Sequence, residues 1–259
     1  MHQKKHLSDR SKYFILFLVL AKFFVFAIVV VACERYEQAS KKQTDPTVLG
    51  DEVPITSHNS GIQGADVSRY QKTINWSKLD EESNIEFVFM KATEGISYVD
   101  PTFKTNWKNA KNTNLICGAY HYFLPKISVR KQFANFKRTA LLKKKDLVPL
   151  LDVETTQGLS RTALIKRIKE WLNLAEAHYG KKPMIYTTQR FYNTHLKNRF
   201  DKYEFVIARY NTKPPYMLDR RKVTFWQYTD RGRLPGISVN VDRQNFNGSK
   251  KELMKYTLP

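Results

Sequence analysis

The spacing of hydrophobic residues divides the chain into three stretches. From Phe14 to Ala32 the sequence reads FILFLVLAKFFVFAIVVVA, with Lys22 as its single charge and no polar face. A core helix of a soluble protein keeps such a face. At roughly 1.5 Å per residue, this run is about long enough to cross a bilayer core of about 30 Å. Residues 34–61 lose all periodicity and carry Pro46, Gly50, Pro54 and the polar run Ser57–Ser60, the pattern of an extended tether. From Gly61 onward, short apolar runs alternate with longer amphipathic ones.

The short runs predict strands at Ile62–Val67, Glu86–Lys91, Leu115–Phe123, Leu147–Val153, Pro183–Thr187, Phe205–Arg209 and Val223–Tyr228, with a short last one near Val239–Asp242. The longer ones predict helices at Pro101–Asn112, Val129–Leu142 and Thr162–Tyr179. In the third, Leu164, Ile165, Ile168, Trp171, Leu172 and Ala175 recur at a helical period, and Gly180 and Pro183 supply the stop. Continuous apolar strands alternating with helices predict a parallel sheet covered by helices. Eight strands in under 200 residues favour an irregular α/β barrel of the TIM type, because the later connections are too short for full helices. The expected organisation is residues 1–33 as cytoplasmic flank and membrane segment, 34–61 as tether and 62–259 as the folded domain.

Charge refines this picture. The formal net charge is +20. Lys4, Lys5, Arg10, Lys12 and Lys22 against Asp9 give the first 33 residues +4. Glu34, Glu37, Asp45, Asp51 and Glu52 outweigh Arg35, Lys41 and Lys42, so the tether has −2 and the remaining residues +18. Basic residues before the apolar run keep the N-terminus cytoplasmic and send the domain across the membrane. Two readings of the end of that run stay open: a signal-anchor helix, or a lipoprotein in which Val30-Val31-Ala32-Cys33 is processed and Cys33 carries lipid. Both tether the domain outside the cytoplasm. The domain's basicity suits a polyanionic partner, but its Lys/Arg runs (Lys143–Lys145, Arg220–Lys222, Lys250–Lys251) are scattered and poor in aromatics, which argues against nucleic acid.

In barrels of this kind, active sites gather at the C-terminal ends of the strands. Asp66 ends the first strand, Asp152 and Glu154 the fourth, and Asp242 the last. Asp152 and Glu154 lie two apart and face the same way. Like charges side by side raise the pKa of at least one, and a carboxylic acid held protonated can donate to a glycosidic oxygen. A single Asp after a strand is commonly a turn or cap residue, so the weight rests on four together. Tyr120, Tyr186, Tyr210 and Trp226 also fall at strand ends, where rings stack on sugar faces, although some of the aromatics must serve packing. No phosphate loop, dinucleotide fingerprint or nucleophile elbow is present. A metal site would have to combine Asp152, Glu154 and His121. Cys117, inside an apolar strand, reads as a buried small hydrophobe.

These motifs, in order, resemble glycoside hydrolase family 25, the lysozymes (N-acetylmuramidases) of the Chalaropsis and cellosyl type. They are Asp66-Val67-Ser68 with Gln71 and Ile74-Asn75-Trp76, Lys91-Ala92-Thr93-Glu94-Gly95, Gly118-Ala119-Tyr120-His121-Tyr122 and Leu151-Asp152-Val153-Glu154. Ile185-Tyr186-Thr187, Ala208-Arg209-Tyr210, Trp226-Gln227-Tyr228 and Val241-Asp242-Arg243 follow. The resemblance implies hydrolysis of the β-1,4 bond from N-acetylmuramic acid to N-acetylglucosamine in peptidoglycan. Glu154 would be the general acid, Asp152 would hold the N-acetyl group or stabilise positive charge, and Asp66 and Asp242 would complete an acidic floor. Tyr120, Tyr186 and Trp226 would contact sugar, and Glu94 would support the geometry. The implied partners are glycan strands and, through the N-terminus, the membrane, with no cofactor and a monomeric domain. A wall-binding module that kept the groove without the activity is the alternative. Lys72 departs from the glycine usual after Gln71.

Overall fold

The computed structural model describes residues 61–259. The expected membrane segment, tether and Cys33 lie outside these residues. Among the described residues, no helix is long and apolar enough to cross a membrane.

The strands are β1 (Ile62–Val67), β2 (Ile85–Glu94), β3 (Tyr98–Val99), β4 (Ile116–Tyr122), β5 (Leu150–Asp152), β6 (Met184–Thr188), β7 (Phe205–Ala208), β8 (Phe225–Leu234) and β9 (Ile237–Phe246). They run β1-β9-β8-β7-β6-β5-β4-β2, and pairing of β2 with β1 closes an eight-strand barrel; β3 is a short addition to β2. Seven of the eight are parallel, whereas β9 is antiparallel to both β1 and β8.

Strand alternation separates two apolar layers. Phe87, Phe89, Leu150, Met184, Val206, Phe225 and Phe246 form one buried cluster inside the barrel. Their neighbours in sequence, including Val88, Met90, Cys117, Leu151, Ile185 and Ile207, form the other cluster beneath the helices. The inner layer is crowded with rings: Phe87 meets Phe89 and Phe225 edge-on at 6.1 and 5.9 Å. Gly64 and Gly118 make room for them, since an added Cβ would lie 2.3 Å from Phe87 and 2.5 Å from Phe89. This plug of phenylalanine closes the barrel below the mouth.

The helices are α1 (Trp76–Glu82), α2 (Phe103–Ala110), α3 (Val129–Thr139) and α4 (Arg161–Tyr179). Helix α4 begins as the sequence pattern requires, with the Ser160 hydroxyl accepting from the Ala163 N–H, and stops at Gly180 in the left-handed conformation (φ 68°). After β6 the connections shorten, as expected, to a turn at Gln189–Phe191 that widens into a π-turn at Tyr192–Leu196.

Four expectations need correction. The short strand near Val239–Asp242 is the middle of the ten-residue β9, which returns from β8 through a tight turn at Gly236 (φ 81°). Strand β5 is three residues long because Pro149 has no N–H and the Val148 N–H donates to the Tyr256 carbonyl at 2.8 Å. Helix α3 ends at Thr139, as Ala140 leaves helical geometry at ψ 85°. Helix α1 was not anticipated; Asn75 caps it, accepting from the Lys78 N–H at 3.0 Å.

Candidate active site

Above the phenylalanine layer, the same inward parity continues into polar side chains: Asp66 on β1, Lys91 on β2, Tyr120 on β4, Asp152 on β5, Tyr186 on β6 and Gln227 on β8. They line a cleft of about 230 Å³, together with Glu154, Tyr210 and Asp242. The four predicted carboxylates and three of the four predicted aromatics therefore converge. Trp226 does not. It faces away from the cleft-directed Gln227, is 7% exposed, and its indole N–H donates to the Arg209 carbonyl at 2.8 Å.

Asp242 arrives by a different route from the one expected. It does not end a parallel strand. It sits within antiparallel β9, directly opposite Asp66, and the β8–β9 hairpin continues past it. Glu154 lies two residues beyond the end of β5 and keeps the inward direction of Asp152.

Asp66 is held by two amides that the sequence reading missed. Gln244 Nε2 donates to both carboxylate oxygens at 2.6 Å, and Gln227 Nε2 donates to Oδ2 at 2.5 Å. Gln227 Oε1 accepts from the Tyr186 hydroxyl at 2.8 Å and the Tyr210 hydroxyl at 3.0 Å. One glutamine thus joins an acid to two of the sugar-facing phenols. Inward parity was the available signal, since Gln227 follows Phe225 by two and Gln244 precedes Phe246 by two.

The floor holds its protons strongly. Burial raises Asp66 from 3.8 to about 6, against the lowering effect of Gln244 and Gln227. Burial, then the Glu154 charge, pushes Asp152 well above the usual carboxylate range. Burial, then Asp66, does the same to Asp242. Glu154 is also raised, mainly by desolvation, with Lys91 and Tyr186 opposing. It is the exposed one of the four carboxyls, and it lines the cleft. Asp152 is buried, and its Oδ1 makes no hydrogen bond among the described residues.

Lys91 is the one cation among the lining residues. Its ammonium pairs with Glu94 at 2.6 Å and lies 5.0 Å from the Tyr122 ring centroid. This fits a supporting part for Glu94. His121, by contrast, lies on the outward face of β4. It bonds to Thr93 at 2.8 Å and Gln132 at 3.2 Å, stacks on Trp171, and burial lowers its pKa to about 3. The trio Asp152, Glu154 and His121 therefore does not assemble. Cys117 is buried among apolar side chains, as expected.

A closed α/β barrel whose mouth joins raised carboxyls to a ring of tyrosines has the architecture of a glycoside hydrolase. Comparison with known proteins gives the family. The sequence profile of glycosyl hydrolases family 25 matches residues 65–237, and the chain belongs to that family. It is 40% identical over 199 residues to the Escherichia coli (strain K12) protein YegX, covering 75% of this chain and 73% of that one. It is 32% identical over 238 residues to Lysozyme M1 of Streptomyces globisporus, covering 85% and 78%. Among solved structures, a family 25 glycosyl hydrolase from Bacillus anthracis superposes with a TM-score of 0.73 at 33% identity, covering 83% of this chain and 100% of that one.

Proposed function

We propose that the protein is a lysozyme-type N-acetylmuramidase that hydrolyses the β-1,4 bond between N-acetylmuramic acid and N-acetylglucosamine in peptidoglycan, with Glu154 as general acid. One observation carries the assignment of Glu154. It is the most exposed of the floor's four raised carboxyls, so a leaving oxygen can reach it. Its proton passes to the glycosidic oxygen as the C1–O bond breaks; water then bonds to C1, directly or after the substrate's own N-acetyl oxygen, and its proton returns to a carboxylate of the floor. Asp152 lines the cleft beside Glu154, where it is suited to hold the N-acetyl group or to stabilise positive charge. Asp66 and Asp242 complete the floor, and Tyr120, Tyr186 and Tyr210 hold the sugar rings. The kinship with Lysozyme M1 supports this chemistry.

Digestion of purified peptidoglycan by the full-length chain tests the proposal. Fragments with muramic acid at the new reducing end are expected; N-acetylglucosamine ends would overturn it, and binding without release would favour a non-catalytic wall module.

The run Phe14–Ala32 and the basic flank before it support attachment to a membrane with the enzyme outside the cytoplasm. Metabolic labelling with palmitate chooses between signal-anchor and lipoprotein: labelling lost in Cys33→Ala supports the lipoprotein, and labelling that persists excludes it.

A further inference from the structure

A second concavity, of about 680 Å³, lies at the opposite end of the barrel, where β5–β8 begin. Val148, Met184, Glu204 and Thr224 mark those strand beginnings, and Tyr256 closes one wall. Its charge is the reverse of the catalytic mouth's. Lys181, Lys182, Lys202, Arg221, Lys222 and Lys255 line it, against Glu176, Asp201 and Glu204.

Two of the three acids are ion-paired, and the third holds a hydroxyl. Glu176 accepts from the Tyr203 hydroxyl at 3.0 Å and pairs with Lys182 at 3.5 Å. Asp201 pairs with Arg221 at 3.1 Å, and Glu204 accepts from the Tyr256 hydroxyl at 3.0 Å. Arg221 is further fixed by its Nε donating to the Tyr192 hydroxyl at 2.7 Å. Lys181 donates to the Thr257 carbonyl at 2.6 Å, which leaves its charge uncompensated. Among the described residues, Lys202, Lys222 and Lys255 are exposed and form no ion pair. The lining therefore carries three more cations than acids, with Lys222 and Lys255 also attracted to the Glu252 carboxylate, and an anion relieves the remaining excess.

We propose that this concavity is a second substrate-binding site, which takes the carboxylate-bearing peptides of a peptidoglycan strand other than the one in the catalytic cleft. The proposal rests on the muramidase reading. Flexible ammonium groups act as point donors to carboxylates without demanding one geometry, which suits short peptides on a mobile polymer. The catalytic mouth, with Lys91 already paired to Glu94, offers such peptides little. Sugar is read at one end of the barrel and peptide charge at the other. Because the two sites face opposite ways, the strand held at the far end raises the effective concentration of the polymer around the cleft.

The test compares the full-length protein with its Lys202→Gln/Lys222→Gln/Lys255→Gln variant. Binding is measured by co-sedimentation with intact peptidoglycan and with the same glycan stripped of peptides by an amidase. Exposed ion pairs contribute about 0.2–1 kcal/mol each, so the variant should bind intact peptidoglycan about tenfold more weakly, or about 1.4 kcal/mol. Its binding should also depend less steeply on salt. Hydrolysis of peptide-free glycan should be unchanged. Equal binding of both proteins to intact peptidoglycan would overturn the proposal. So would a tenfold loss that persists on peptide-free glycan, since another anion would then be the ligand. Failure of the wild-type protein to cut either substrate would count against the muramidase reading alone, because sedimentation measures this site separately.

Discussion

Replacing Asp66 by Asn should stabilise the fold at neutral pH while harming the site. Asp66 is 7% exposed, and its pKa stands at about 6 in place of 3.8. An acid whose pKa is raised by folding binds its proton more tightly folded than unfolded. Below about pH 4 it is protonated in both states and contributes nothing. Between about 4 and 6 the unfolded state gives up its proton first, and stability falls as pH rises. Above about 6 the loss is complete, at about 3 kcal/mol, taking about 1.4 kcal/mol per tenfold change in proton affinity. Asn carries no charge to desolvate, but one of the donors on Gln227 and Gln244 then loses its acceptor, at about 1–2 kcal/mol. The expected net gain is about 1–2 kcal/mol at pH 7.5, or a melting temperature higher by about 2–8 °C for a domain of this size. At pH 4 the gain should vanish or reverse. Thermal and urea unfolding of both proteins across pH 4–8 reads the difference directly. A variant destabilised equally at both ends of that range would refute the claim that burial, and not the two amides, dominates this carboxyl.

Three further outcomes follow from the same geometry. Glu154→Gln should lower the rate of reducing-end release from peptidoglycan by about 10²–10⁴-fold, the range for losing a general acid, and, because burial raises this carboxyl too, should hold or raise the unfolding midpoint at neutral pH. Gln227→Leu removes the donor to Asp66 and the shared acceptor of Tyr186 and Tyr210. It should destabilise the fold by about 2–4 kcal/mol in urea unfolding and raise the Asp66 pKa further, seen as an upward shift in its carboxyl titration by NMR. Gly64→Ala would place a Cβ 2.3 Å from the Phe87 ring; the inner layer would have to shift, at a cost of about 1–3 kcal/mol in the same assay.

What the sequence disclosed, and what it hid, follows from strand parity. The carboxylates were legible because apolar strands announce their own ends, and a charge at such an end stands out against the run before it. Gln227 and Gln244 were hidden because amides do not titrate, so a search for ionisable groups passes over them. Trp226 drew attention as an aromatic, but it neighbours inward-facing Gln227 and must point outward. The direction of β9 was not legible either. Parallel and antiparallel strands share one side-chain period, and only the turn at Gly236, two residues after Leu234, distinguishes a hairpin from a crossover. Asp242 was thus placed correctly at the mouth on a mistaken premise about its strand.

The charge of the whole domain and the protonation of its cleft are governed separately. Residues 62–259 carry +18, which taken alone would favour ionised carboxyls. Asp66, Asp152, Glu154 and Asp242 are all nonetheless raised, because each responds first to burial. Exterior lysines act through water in which charge is screened over about 8 Å, whereas Lys91 and the carboxyls share one cleft. Salt should therefore weaken attachment to the anionic polymer while leaving the pH–rate profile on a short peptide-free glycan nearly fixed. A profile whose acid and base limbs both moved by more than about half a pH unit between about 50 and 500 mM salt, over which the Debye length shortens about threefold, would mean that the exterior charge sets the floor's protonation.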